Sequence, residues 1–220
     1  MMKKFRLVLK NNLILIFVFL FVSFSYSNNI INNSSAFNDA QGPIVIKNSK
    51  VVVTGDSFAG KFYDFENNKD LQLVPYARAG RTIDENKIIM AEALNLSEKN
   101  VLISIGVNDQ FMETPPYRFE FVLRSILNIA LINNKNVYFH SYLKYFSSLY
   151  NNKRFAANEY DAIIRQLCTE YYNAHYIDVK DLETPKYISE DNIHYNIMFY
   201  DELYNRLVNT IYAIERAQNG

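Results

Sequence analysis

From Ser49 onward, short apolar runs alternate with longer stretches in which apolar residues recur every three or four positions. Lys50–Thr54 is β-branched and stops at Gly55, which reads as a buried strand. Leu71–Tyr76 reads as a second strand, with Gly80 as the following breaker, and Val101–Ile105, closed by Gly106, as a third. Val137–His140 and His175–Val179 complete a set of five. Between them, Thr82 is placed to cap a helix carrying Ile83, Ile88, Ile89, Ala93 and Leu94, with Asp84 and Glu85 in its first turn. Thr114-Pro115 opens a long helix whose apolar face runs from Phe119 to Leu131. Phe155–Tyr172 and Ile197–Arg216 carry the same periodicity. Strands alternating with helices predict a mainly parallel five-stranded sheet covered on both faces, a three-layer α/β/α sandwich.

The first 27 residues break this pattern. Lys3, Lys4, Arg6 and Lys10 precede an unbroken apolar run, Leu13–Val22, followed by Ser25-Tyr26-Ser27. A basic start, a short apolar segment and small residues near a cleavage point are the marks of an export signal. Even extended to Phe24 the run is shorter than the roughly 20 residues a membrane-crossing helix needs. Residues 1–27 are therefore expected to be a signal peptide, or an anchor if uncut, which makes the protein secreted or extracytoplasmic. Residues 28–48 are rich in Asn and Ser and read as a polar lead-in, leaving 49–220 as a single domain.

Composition narrows the partners. Lys plus Arg and Asp plus Glu each number 23, but four of the bases lie in the leader, so the remainder carries a net charge of −4. No basic tract for nucleic acid is present. A membrane contact is expected only through the N-terminal segment, and nothing specifies an oligomer. Cys168 is the single cysteine, so no internal disulfide can form; it lies in a helical pattern and reads as a small buried thiol. The three histidines have no metal-ligand spacing, and no metal or other cofactor is called for.

Four polar motifs fall at strand ends or before the last helix. In open α/β sheets ligands bind beyond the carboxyl ends of the strands. Gly55-Asp56-Ser57 follows the first strand, at a turn able to present a serine hydroxyl beside the N–H groups of a helix start. Ala79-Gly80-Arg81 follows the second, and glycine lets a backbone N–H approach a ligand. Gly106-Val107-Asn108-Asp109 follows the third, and Asn108 offers an uncharged side-chain donor. Asp191-Asn192-Ile193-His194 precedes the last helix, with a spacing that lets the carboxylate reach one imidazole nitrogen while the other stays free. Each alone also fits a plain turn, cap or Asx turn.

Their joint order resembles the SGNH hydrolases, also called GDSL esterases and lipases, named for Ser, Gly, Asn and His in four blocks. Those residues match Ser57, Gly80, Asn108 and His194, and the likeness spans roughly Lys50–Arg216. The resemblance implies a flavodoxin-like sandwich and a Ser57–His194–Asp191 triad. It also implies an oxyanion hole from the Ser57 and Gly80 backbone N–H groups and the Asn108 side chain. Phe58 stands where the family name has Leu. The α/β-hydrolase elbow, G-x-S-x-G, is not matched, since Ala59 occupies its last glycine position.

The expected chemistry is acyl transfer to water from a small-molecule or glycan ester, with removal of O-acetyl groups from carbohydrate outside the cytoplasm placed first. An O-acyltransferase using the same site, or a non-catalytic glycan-binding domain, are the alternatives. His140 reads as structural and His175 as an edge or surface residue; Asp56 and Asp109 read as acceptors that hold loops. Arg81 is a candidate contact for an acidic or polyhydroxy substrate, and Tyr117, Phe119, Tyr142, Tyr145 and Phe146 for stacking walls, with packing the simpler role for each.

Overall fold

A computed structural model describes residues 49–63, 71–143 and 153–219. The chain divides into Met1–Pro43 and Ile44–Gly220, and all described residues belong to the second unit. The expected leader, residues 1–27, the lead-in 28–48, and Tyr145 and Phe146 lie outside them.

Five strands form one sheet in the order β2-β1-β3-β4-β5, and every pair is parallel. They are β1 (Ser49–Gly55), β2 (Leu71–Ala77), β3 (Asn100–Ser104), β4 (Asn136–His140) and β5 (Ala174–Ile177). The helices are α1 (Ser57–Tyr63), α2 (Ile83–Ala93), α3 (Val107–Phe111), α4 (Pro116–Ile132), α5 (Ala157–Glu170) and α6 (Ile197–Asn219). Alternation within each strand splits the core. Val51, Val53, Leu102 and Tyr138 face α1 and α6, whereas Val52, Val101, Ile103, Val137 and Phe139 face α2, α4 and α5. The β-branched run of β1 is thus buried on both faces, as a central parallel strand requires. Pro75 sits on the edge strand β2, where a missing ladder donor is tolerated.

The order follows from crossover handedness. Parallel crossovers are right-handed, so a helix on one face carries the chain one way along the sheet and a helix on the other face carries it back. With α1 on one face and α2 on the other, β2 and β3 flank β1. The crevice between the carboxyl ends of β1 and β3 is the point where the winding reverses, the usual place for a ligand in such sheets.

Local signals explain the boundaries. The Thr82 N–H donates to Glu85 (2.9 Å), so α2 starts where its cap is expected. The long helix begins one residue later than expected, with Pro116 in its first turn. Phe155 and Ala156 lie ahead of α5, because the Ala156 N–H is taken by the Glu159 carboxylate (2.8 Å). The fifth strand stops at Ile177 rather than Val179. The Val179 N–H turns to the Ser141 hydroxyl (2.8 Å), and the Asp178 carboxylate accepts the Lys180 N–H (3.0 Å), starting a short 3-10 turn at Lys180–Leu182. Helix α3, five residues long, is too short to leave a periodic signature in the sequence.

Candidate active site

The site is built on the loops leaving β1, β2 and β3 and the loop entering α6. At the end of β1, Gly55 has φ +132°, and a Cβ there would sit 1.8 Å from the Ser104 carbonyl oxygen. Only glycine lets β1 and β3 approach this closely at the residue two before the serine. Asp56 follows, fully buried, and caps α1 by accepting the Phe58 N–H (2.9 Å) on one oxygen while the other accepts the Gly106 N–H (3.1 Å). Asp109 does the same for the next pair of loops: both its oxygens accept the Ile83 N–H, at 3.1 and 3.0 Å. Two buried carboxylates thereby stitch the Ser57, Gly80 and Asn108 loops into one edge, the loop-holding role expected of them. Burial pushes both up to about 7, Asp56 against its hydrogen bonds from Phe58 and Gly106 and Asp109 against that from Ile83.

Ser57 is the first residue of α1 and remains partly accessible. Its Oγ lies 3.0 Å from Nε2 of His194, 137 positions along the chain. His194 Nδ1 lies 2.6 Å from Asp191 Oδ2. An ionised carboxylate only accepts, so Nδ1 carries a proton, and in the neutral ring Nε2 is left to accept from the Ser57 hydroxyl. The loop presenting these groups is closed by an antiparallel bridge between Ile188 and Tyr195 and by the Ser189 N–H on the His194 carbonyl (2.8 Å). Within it, Asp191 Oδ1 accepts from the Ser189 hydroxyl (2.6 Å) and the Ile193 and His194 N–H groups (3.0 and 2.8 Å). Burial pushes the Asp191 carboxyl up, but these bonds and that from His194 outweigh it and hold the group well below the usual carboxylate range.

Asn108, in the first turn of α3, donates from Nδ2 to the Arg81 carbonyl (3.1 Å), leaving its second amide hydrogen unused by that bond. Gly80 precedes Arg81 in the same exposed loop. The loop is held from below by Asn86, a fully buried side chain on α2 whose amide reaches the Arg78 and Arg81 carbonyls (3.4 Å each). Asn86 escapes sequence reading, because a polar residue inside a helical repeat signals nothing until its carbonyl partners are known. Ser189 and Lys61, which both reach Asp191, are equally silent. Phe58, the departure from the family name, is buried with its ring 5.2 Å from that of His194.

The remaining candidates fall outside this constellation. His140 bonds the Ser104 hydroxyl (2.8 Å) and the Ser141 carbonyl (2.9 Å), and burial lowers its affinity for a proton. His175 lies on the edge strand β5, its ring tilted against that of Tyr138, with burial pushing it down to about 4. Cys168 is half-buried on α5, and burial pushes its thiol up to about 12, which leaves it a poor nucleophile. Phe119 and Tyr142 are core residues, while Tyr117 is exposed. Among the described residues, no group of His, Cys, Asp or Glu is placed to hold a metal ion, and no helix is long and apolar enough to cross a membrane.

A hydroxyl bonded to an imidazole that is itself bonded to an ionised carboxylate can pass its proton to the ring as it attacks a carbonyl. Comparison with known proteins places the chain in a family. The sequence profile of the GDSL-like lipase/acylhydrolase family matches residues 51–201. The chain belongs to that family. It is a carboxylic ester hydrolase by membership, and its sheet and helices are those of other GDSL folds. A lipase/acylhydrolase from Enterococcus faecalis is 15% identical, covering 75% of this chain and 96% of its own, with a TM-score of 0.61. A candidate acylhydrolase from Bacteroides fragilis is 19% identical over 74% of this chain and 86% of its own (TM-score 0.63). A variant of an acetyl-xylooligosaccharide esterase from Geobacillus is 16% identical over 76% and 95% (TM-score 0.58). A search among curated protein sequences gave no match.

Proposed function

We propose that this GDSL-family protein hydrolyses O-acetyl esters of carbohydrate outside the cytoplasm through a Ser57–His194–Asp191 triad. His194 takes the Ser57 proton as Oγ attacks the acetyl carbonyl, and Asp191 holds the imidazole in its Nδ1–H form and stabilises the charge it gains. The Ser57 and Gly80 N–H groups and the Asn108 amide receive the oxyanion. His194 then protonates the departing sugar hydroxyl, and water repeats the sequence on the acetyl-enzyme. The observation that carries this reading is the unbroken chain of contacts, 3.0 Å from serine to imidazole and 2.6 Å from imidazole to carboxylate.

The acetyl and glycan assignments are supported by the export signal expected from the sequence, by the half-exposed setting of the triad loop, and by solved folds of this shape that include an acetyl-xylooligosaccharide esterase and an acetyl xylan esterase. The test is a panel of acetylated glycans and esters of rising acyl length, assayed with wild type and Ser57→Ala. Acetyl release from glycans by wild type only is expected. Undiminished turnover by Ser57→Ala overturns the triad, preference for long acyl chains overturns the acetyl assignment, and acetyl gain by an added glycan overturns hydrolysis in favour of transfer.

A further inference from the structure

Helix α1 meets the loop carrying the acid and base at more than the serine. Lys61 lies four residues after Ser57, so both side chains leave the same face of the helix. Ser57 Oγ contacts His194, and Lys61 Nζ lies 3.7 Å from Oδ2 of Asp191, the same oxygen that accepts from His194. The three donors on Asp191 Oδ1 all come from its own loop, Ser189 to His194. Those bonds fix the internal shape of the loop but do nothing to hold it against α1. Phe58 supplies apolar contact to the His194 and Tyr195 rings, and this contact carries no charge.

Taking the triad as read above, the Ser57–His194 hydrogen bond cannot hold the loop throughout turnover. Once His194 has passed that proton on to the leaving alcohol, the esterified Oγ and the bare Nε2 are both acceptors, and no hydrogen bond joins them. From then until deacylation, the Lys61–Asp191 ion pair still joins α1 to the loop. We infer that Lys61 is a positioning residue that pins the Asp191–His194 loop to α1 while Ser57 is acylated.

Both partners are half-exposed, so the pin is modest and sensitive to salt. Lys61→Met is expected to lower kcat about two- to fivefold at low salt with KM unchanged, the range an exposed ion pair supports. Lys61→Arg should restore the rate. Raising salt to about 1 M should bring wild type down to the Lys61→Met rate while leaving that variant where it is, because charges at this separation are then largely screened. Equal kcat for wild type and Lys61→Met at low salt overturns the inference, as does a parallel salt response of the two or a loss that Arg does not restore. Ser57→Ala run alongside separates the two ideas: activity in that variant removes the triad, whereas a dead Ser57→Ala with an unaffected Lys61→Met removes only the pin.

Discussion

Two glycines five residues apart give opposite predictions for the same substitution, and together they test how Ser57 is placed. At Gly55 the backbone has φ +132°, and an added Cβ would lie 1.8 Å from the Ser104 carbonyl oxygen and 2.7 Å from its carbon. Both atoms belong to the backbone of the neighbouring strand, so no side-chain rotation relieves the clash. Strain of this φ alone costs about 1–3 kcal/mol for a residue with a Cβ. Relief of the overlap requires β1 and β3 to part where the Asp56 N–H donates to that same carbonyl (3.0 Å). Losing that hydrogen bond adds about 1 kcal/mol. Gly55→Ala should therefore destabilise the domain by about 2–4 kcal/mol and displace Ser57, two residues on.

At Gly60, inside α1, a Cβ would meet nothing within 4 Å, and the backbone is helical. Alanine there removes freedom from the unfolded chain only, which stabilises by about 0.4–1 kcal/mol. Urea unfolding of both variants against wild type reads the two signs directly. In a domain of this size 1 kcal/mol moves the thermal midpoint by roughly 2–4 °C, so both effects are measurable. A Gly55→Ala protein within 1 kcal/mol of wild type would refute the view that backbone contact between β1 and β3 sets the position of Ser57.

Further tests address the other groups. Asn108→Ala should lower kcat for an acetyl ester by about 10²–10³ with a small change in KM, as removal of one oxyanion donor does; steady-state kinetics showing less than a tenfold loss would exclude Asn108 from that role. His175, pushed down to about 4 by burial, stays neutral in the fold while the unfolded chain takes up a proton below about 6.5. It therefore lowers stability progressively as pH falls from about 6.5 to 4. His175→Gln should accordingly gain about 1–2 kcal/mol relative to wild type between pH 8 and pH 5 in urea unfolding, and a constant difference between the two proteins would contradict this. Asp56 and Asp109, pushed up to about 7, act with the opposite sign: the fold retains protons that the unfolded chain releases above about pH 4, so their burial lowers stability as pH rises from 4 to 7. The His175→Gln protein should therefore lose stability more steeply over that window than wild type.

What the chain discloses before folding divides by the range of the forces involved. The strands and the Thr82 cap were legible because a β-branched run bounded by glycine, or a threonine three residues before a glutamate, needs only its neighbours to act. The end of β5 was not, since the apolar Val179 continues the strand pattern while its N–H is claimed by the hydroxyl of Ser141 on the loop after β4. Strand order was likewise hidden, because it depends on which sheet face each helix covers. The meeting of Ser57 with His194 across 137 positions has no local signal at all. It could be anticipated only because four individually weak motifs stand in one order at strand ends, and the carboxyl edge of a parallel sheet gathers such ends together.

The support beneath that edge stayed unread for a different reason. Asn86 and Lys61 lie on helices whose sequence explains their presence equally well as an interior break in periodicity and a solvated cation. Their significance comes entirely from partners supplied by other loops: the Arg78 and Arg81 carbonyls for one, the Asp191 carboxylate for the other. Reacting groups advertise themselves, because few residue types can perform their chemistry. A group that holds them in place can be almost any donor at the right distance, and distance is the quantity a sequence lacks. Positioning residues are therefore where a structure adds most to a site whose chemistry is already legible, and they are the substitutions most able to change turnover without touching a reacting atom.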